Sequence, residues 1–275
     1  MIKNLNFQNF IQCIINFIVI CVNYFLGKKR FLPITLPFLK NQKIYDKEKK
    51  RKINLIIETW EDFLTLKQIF YNEEYNLKRL RRYKDIKNLI DINKNNNIKS
   101  LIIDCGANIG LASKYFDLSI INSKIISIEP EIKNFDLSKK NNSSDIIFLN
   151  SAVGSKDTWG NIIDPGLGNF AYRVIADTSE SKDQIKIVSI NKLLKEYSNE
   201  NTEPFLIKID IEGFEKNLFE QNVEWIEKFP IIIIEIHDWM MPKQGISLNF
   251  LKEISKHERD FILIGENIYS ISNKI

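Results

Sequence analysis

One stretch constrains this chain more than any other. Leu101-Ile-Ile-Asp-Cys-Gly-Ala-Asn-Ile-Gly110 is an apolar run that stops at an acid, Asp104, and passes into a glycine-bounded turn. A helical pattern follows, then a second apolar run, Ile125-Ile-Ser-Ile, ending in Glu129. A buried strand, a tight turn, a helix and a parallel second strand are written this way. Turn and acid then fall together at the carboxyl edge of an open α/β sheet, where ligands of such sheets sit.

The rest of the chain after residue 98 agrees. Short β-branched runs alternate with amphipathic stretches, which predicts parallel strands joined by helices. Strands are expected near 101–104, 124–129, 146–149, 205–210, 230–236, 260–264 and 268–272. Helices are expected near 109–117, 131–140, 191–197, 214–221 and 246–256. Only Gly265-Glu-Asn267 separates the last two strands, so they pair as an antiparallel hairpin. An insertion at 151–203 carries Trp159-Gly-Asn, Pro165-Gly-Leu-Gly-Asn169 and a further strand, Gln184–Ile190. Its position makes loop 155–183 a candidate lid that selects the acceptor.

Residues 1–52 are of another kind. Residues 1–99 carry 20 Lys and Arg against 9 Asp and Glu, whereas the remainder carries 19 against 26. The basic end favours an anionic surface, a membrane rather than nucleic acid. Phe10–Leu26 is uncharged, and Asn9, Gln12, Asn16 and Asn23 line one face of a helix there. Such a stripe suits a helix packed on a partner or tilted at a membrane interface, not a lone lipid-exposed span. Lys28-Lys29-Arg30 would keep the main domain cytoplasmic, and the basic stretch Lys40–Lys52 would add a second membrane contact. A helix docked on the domain and a signal sequence are the alternatives. Residues 53–97 read as a helical extension, and 98–275 as the main domain. Cys13, Cys21 and Cys105 form no CxxC, which argues against a disulfide framework or zinc site and fits a reducing compartment.

The first turn narrows the ligand. Gly106 allows a close backbone approach, Asn108 offers an amide, and Gly110 permits close helix-to-strand packing. The turn is G-x-x-x-G and lacks the middle glycine that a pyrophosphate-binding G-x-G-x-x-G supplies. S-adenosylmethionine has no phosphate, and its sulfonium and amino-acid portion suit an acid such as Asp104. Glu129 can accept from both hydroxyls of a ribose.

Ile103-Asp-Cys-Gly-Ala-Asn-Ile-Gly110, Ile128-Glu-Pro130, Asn150-Ser-Ala-Val-Gly154, Leu206-Ile-Lys-Ile-Asp-Ile-Glu-Gly-Phe-Glu215 and Ile234-Glu-Ile-His237 occur in that order. Together they resemble the FkbM family of S-adenosylmethionine-dependent methyltransferases over roughly residues 60–272. The resemblance implies the class I methyltransferase fold, a Rossmann-like three-layer α/β sandwich. Its seven-stranded, mostly parallel sheet ends in an antiparallel hairpin, unlike six-stranded dinucleotide folds. It implies an O-methyltransferase acting on hydroxyls of glycans, polyketides or similar acceptors. By position, Asp104, Gly106, Asn108 and Gly110 would hold the methionine end of the cofactor, and Glu129 the ribose. Ser151, Ala152 and Val153 would border the adenine. Cys105 stands where an aliphatic residue is common, a mild steric change.

The acidic block carries the chemistry. Transfer to a hydroxyl needs a positioned base. Asp210, expected at the end of the fourth strand, is the first candidate and His237 the second. Glu212 and Glu215, three apart, are expected on one face of the next helix, with Glu215 serving as a helix N-terminal charge. A divalent metal on Asp210, Glu212 and His237 or Asp238 is an alternative use of these ligands, not the favoured one. His257 reads as a surface residue. Two other functions remain to be separated, a non-catalytic scaffold at a membrane and an NAD-dependent oxidoreductase.

Overall fold

The structure, a computed structural model, describes Lys3 and residues 6–163, 173–176 and 184–275. Pro165-Gly-Leu-Gly-Asn169 and most of the expected lid lie outside the described residues. The chain opens with α1 (Phe7–Phe25), then β1 (Phe31–Pro33), β2 (Asn41–Asp46) and β3 (Arg51–Ile56). Next come α2 (Trp60–Leu66), which continues as one π-helical turn over Lys67–Tyr71, and α3 (Tyr83–Asn95). The main unit follows as β4 (Lys99–Cys105), α4 (Leu111–Ser119), β5 (Ser123–Ile128), α5 (Ile132–Asn141) and β6 (Ile147–Leu149). The insertion holds β7 (Ala152–Gly154), β8 (Thr158–Ile163), β9 (Arg173–Ala176) and β10 (Ile185–Ser189). The chain closes with α6 (Ile190–Tyr197), β11 (Thr202–Ile209), α7 (Glu215–Leu218), β12 (Ile231–Glu235), α8 (Leu248–Ile254), β13 (Arg259–Ile264) and β14 (Asn267–Ser272).

Seven strands form one sheet in the order β13-β14-β12-β11-β4-β5-β6. β14 runs antiparallel to both its neighbours, and the remaining pairs are parallel. The sheet is sandwiched between layers, so successive residues of a strand enter different cores. Leu101, Ile103 and Cys105 pack on one face with Ile207, Ile209, Ile232 and Ile234. Ile102 packs on the other with Leu206, Ile231, Ile233 and Tyr269. Burial on both faces is why these strands read as unbroken apolar runs.

The N-terminal expectation needs correcting. Lys40–Lys52 is mainly β2, β3 and their turn, in a three-stranded antiparallel sheet of order β1-β2-β3. The expected boundary at 52/53 therefore cuts a strand, and Leu55 and Ile56 are strand residues, not the start of a helix. Gln42, Ile44 and Asp46 point inward, while Asn41 and Lys43 are exposed. This sheet is pinned to the main unit by Arg30. Its Nε and Nη2 donate to the two Asp46 carboxylate oxygens at 2.8 and 2.7 Å, and Nη1 donates to Ser119 at the end of α4 at 2.9 Å.

The helix expected at 214–221 is also shorter. Glu212 and Gly213 both have positive φ, 52° and 97°, so the chain turns before the helix starts, and α7 keeps only four residues.

Candidate active site

β4, β5, β11 and β12 end at one edge, and a cleft of about 320 Å³ opens there. Its wall includes Gly106, Asn108, Glu129, Ser151, Ala152, Val153, Asp210 and His237, which lie far apart in the sequence. The turn after β4 is stitched to the end of β11. Gly106 has φ +76°, and a Cβ on it would lie 1.7 Å from the Asp210 carbonyl oxygen. The Lys208 ammonium donates to the Gly106 carbonyl at 2.7 Å, and the Asp210 N–H donates to the Cys105 carbonyl at 3.1 Å.

Glu129 is placed by the same turn. Its carboxylate accepts from the Asn108 N–H at 2.8 Å and the Glu131 N–H at 2.9 Å. Burial pushes its pKa up to about 7, and those two N–H groups pull the other way. Each carboxylate oxygen keeps acceptor capacity after one hydrogen bond. The Asn108 side-chain carbonyl and the Ser151 hydroxyl are buried without a hydrogen-bond partner among the described residues. Groups of this kind suit a polar ligand in the cleft.

Two of the residues expected at the cofactor stand behind this wall and do not line the cleft. Asp104 is fully buried. One oxygen accepts from Ser113 at 2.6 Å, and the other is 3.4 Å from the Lys208 ammonium. Gly110, at φ +79°, faces α5, where an added Cβ would sit 2.3 Å from the Ser138 hydroxyl. It lets two helices approach, not a helix and a strand.

At the ends of β11 and β12 lies a cluster of carboxylates. Asp210 is 3.2 Å from the Lys208 ammonium. Burial pulls the Lys208 pKa down, but Asp210 and Asp104 outweigh it and hold the ammonium charged. His237 is 1% exposed, with Nδ1 at 2.8 Å from the fully buried Glu215 carboxylate. Its Nε2 lies 3.6 Å from Asp210, 3.6 Å from Glu212 and 3.5 Å from Glu235. Burial opposes its charge, but Glu215 and then Asp210 and Glu212 raise its pKa to about 9. Burial and the Asp210 charge push Glu212 and Glu235 well above the ordinary carboxylate range. Asp210, Glu212 and His237 offer ligand atoms within 4.8 Å of one another, a spacing a divalent ion could use.

Residues 104–263, more than half of the chain, match the FkbM methyltransferase domain. The chain belongs to the FkbM methyltransferase family. No curated protein matches it. Among solved structures it is similar to a Corynebacterium glutamicum protein, at 12% identity and TM-score 0.38, over 64% of this chain and 73% of that one. It is also similar to the Bacillus cereus O-methyltransferase in complex with SAH, at 12% identity and TM-score 0.37, over 69% of this chain and 81% of that one.

The FkbM sequence block 206–215 is thus not arranged as its spacing suggested. Glu212 sits in the turn and lines the cleft, whereas Glu215 stands in the first turn of α7 as expected but points inward and also anchors His237. Asp238 is not part of the cluster; it accepts from the Ile246 and Ser247 N–H groups, both at 3.1 Å. Sequence reasoning missed the roles of Lys208 and Glu235. The signal for Lys208 was present, a lysine inside an apolar strand destined for burial on both faces, which requires a carboxylate partner. Glu235 could be suspected only once β12 was placed beside β11.

Proposed function

We propose that this methyltransferase moves a methyl group from S-adenosylmethionine to a hydroxyl of a neutral, hydroxyl-rich acceptor such as a glycan, including a lipid-linked one. The observation that carries this reading is the charge of the cleft. Glu61, Glu74, Glu129, Asp210, Glu212, Glu235 and Glu266 line it, against Lys208 and His237. Even with Glu212 and Glu235 pushed toward their neutral forms, the other carboxylates outnumber Lys208 and His237, so the wall disfavours pyrophosphate and attracts a cation, which favours a sulfonium cofactor over NAD. When bound, S-adenosylmethionine supplies an electrophilic methyl group on a positively charged sulfur.

The chain's own residues divide the remaining work. Glu129 accepts from ribose hydroxyls, Ser151, Ala152 and Val153 border the adenine, and Gly106 and Asn108 hold the methionine end. Asp104 acts through Lys208, fixing the ammonium that ties the Gly106 turn to Asp210. Asp210 is the base. Its side chain is 27% exposed, against 16% for Glu212 and 17% for Glu235, so it is the carboxylate of the cluster most open to an acceptor. His237, held charged by Glu215, orients Asp210 and is a poor proton acceptor near neutral pH.

Incubation with labelled S-adenosylmethionine and a panel of glycans, hydroxylated lipids and amines tests this reading. A labelled methyl ether is the expected product. Label recovered only on nitrogen would overturn the assignment to hydroxyls.

A further inference from the structure

α1 is turned inside out for a helix on a water-facing surface. Cys13 and Ile20 are buried against the domain, flanked by half-buried Phe10 and Phe17. Most of the polar stripe foreseen in the sequence is not on the outward face: Asn9, Asn16 and Asn23 are half-buried beside the docked side, and only Gln12 of the four is exposed, donating to Asn16. What faces outward is apolar. Ile11, Ile14, Ile15, Ile18, Val19 and Val22 are all exposed, and at the C-terminal end Phe25 is 76% exposed. Ile34, Leu36 and Leu39, between β1 and β2, are exposed as well, and Phe38 packs on Phe10 at 5.2 Å between rings. The apolar face therefore extends past the helix.

Positive charge borders this face. Lys28 follows α1, and Lys47, Lys49 and Lys50 stand in the exposed turn between β2 and β3, whose one acid, Glu48, is paired with Arg30 and Lys78. The Lys47 ammonium lies 5.9 Å from the centre of the Tyr24 ring on α1, so the turn sits against the helix. None of these four lysines forms an ion pair among the described residues.

We infer that this face lies flat on an anionic lipid bilayer, with the outer side of α1 among the acyl chains and the lysines at the headgroups. Docking of α1 along its length separates this from a spanning helix, since Cys13 and Ile20 cannot both stay packed on the domain and cross a membrane. An apolar helix face rimmed by lysines is the pattern of interfacial anchoring. The face also leads toward the cleft. Lys3, just ahead of α1, forms a backbone bridge with Thr59, the N-cap of α2, and α2 contributes Glu61, Leu64 and Thr65 to the cleft wall. The inference does not depend on which group is methylated.

Flotation of the full chain with vesicles tests it. Phosphatidylcholine vesicles with and without phosphatidylglycerol would be compared, alongside size-exclusion chromatography. Binding should be about tenfold stronger to the anionic vesicles and should weaken with added salt. Ile18→Asp with Val22→Asp should abolish flotation while leaving S-adenosylhomocysteine affinity unchanged, which shows that the domain is folded. Lys47→Glu with Lys49→Glu should remove the preference for anionic vesicles only. Failure of the unaltered chain to float, or a dimer dissociated by Ile18→Asp, would overturn the inference; the latter would assign the face to a second copy.

Discussion

Arg30 with Asp46 at the N-terminal sheet, and Lys208 with its carboxylates at the carboxyl edge of the large sheet, both bury charge. In the first, one guanidinium meets one buried carboxylate with two hydrogen bonds, lies 3.6 Å from the exposed Glu48, and spends its further donors on Ser119 and the Leu118 carbonyl. In the second, Lys208 and His237 face Asp104, Asp210, Glu212, Glu215 and Glu235. The matched pair has nothing left to give a ligand, so it is structural. The unmatched cluster keeps unused acceptors at a cleft, and its protons are held where solution chemistry would not leave them. Imbalance, more than burial, marks the candidate site.

The comparison breaks most readily at Asp210. Asp210→Asn is expected to lower methyl transfer by about 10²–10⁴-fold with cofactor affinity kept, measured as single-turnover transfer beside calorimetry. Wild-type turnover would move the base elsewhere in the cluster.

Arg30→Ala should do the reverse. It leaves Asp46 buried and unpaired, and should cost about 3–5 kcal/mol in urea unfolding, with cofactor affinity of the folded fraction unchanged. A loss below about 1 kcal/mol would mean that the pair can be dispensed with. Its pH dependence follows from Asp46. Burial favours the neutral acid, but Arg30 holds the pKa below its ordinary value, so the stabilisation is present above that value and is lost as acid protonates the folded carboxylate.

Glu129→Ala removes a charged acceptor from the cleft without touching the cores. It should weaken cofactor binding by about 1.5–3 kcal/mol while unfolding stays cooperative. Unchanged affinity would remove the ribose role.

The smallest effect is a titration. Glu129 ionises near pH 7 when folded, against an ordinary value of 4.5. Folding thus favours its neutral form, and that contribution to stability is full below about pH 4.5 and lost as pH rises through about 7. Cofactor affinity runs the opposite way, rising by less than about tenfold as the carboxylate forms, and Glu129→Gln should flatten that profile. A flat profile in the unaltered chain would place the titration on another group.

The large sheet was legible because burial on both faces writes strands as apolar runs such as Leu101–Ile103 and Ile231–Ile234. The small sheet was not, because its inward side is Gln42, Ile44 and Asp46, two of them polar, and its other side is Asn41, Lys43 and Tyr45, so no apolar period of two shows. Site positions were legible as strand ends, which placed Glu129, Ser151 and Asp210 at the cleft. Depth was not. Asp104, inside β4, and Gly106, just past its end, are two residues apart, yet only Gly106 reaches the cleft. Glu215 read as a helix-end charge because local spacing says nothing of a histidine arriving from β12.

Calorimetry of the full chain with S-adenosylhomocysteine and, separately, with NAD tests the central claim most directly. Glu129 as the ribose acceptor, with an acid-lined wall that disfavours pyrophosphate, predicts saturable binding of S-adenosylhomocysteine, whose sulfur is uncharged, and none of NAD. Binding of NAD without binding of S-adenosylhomocysteine would contradict it.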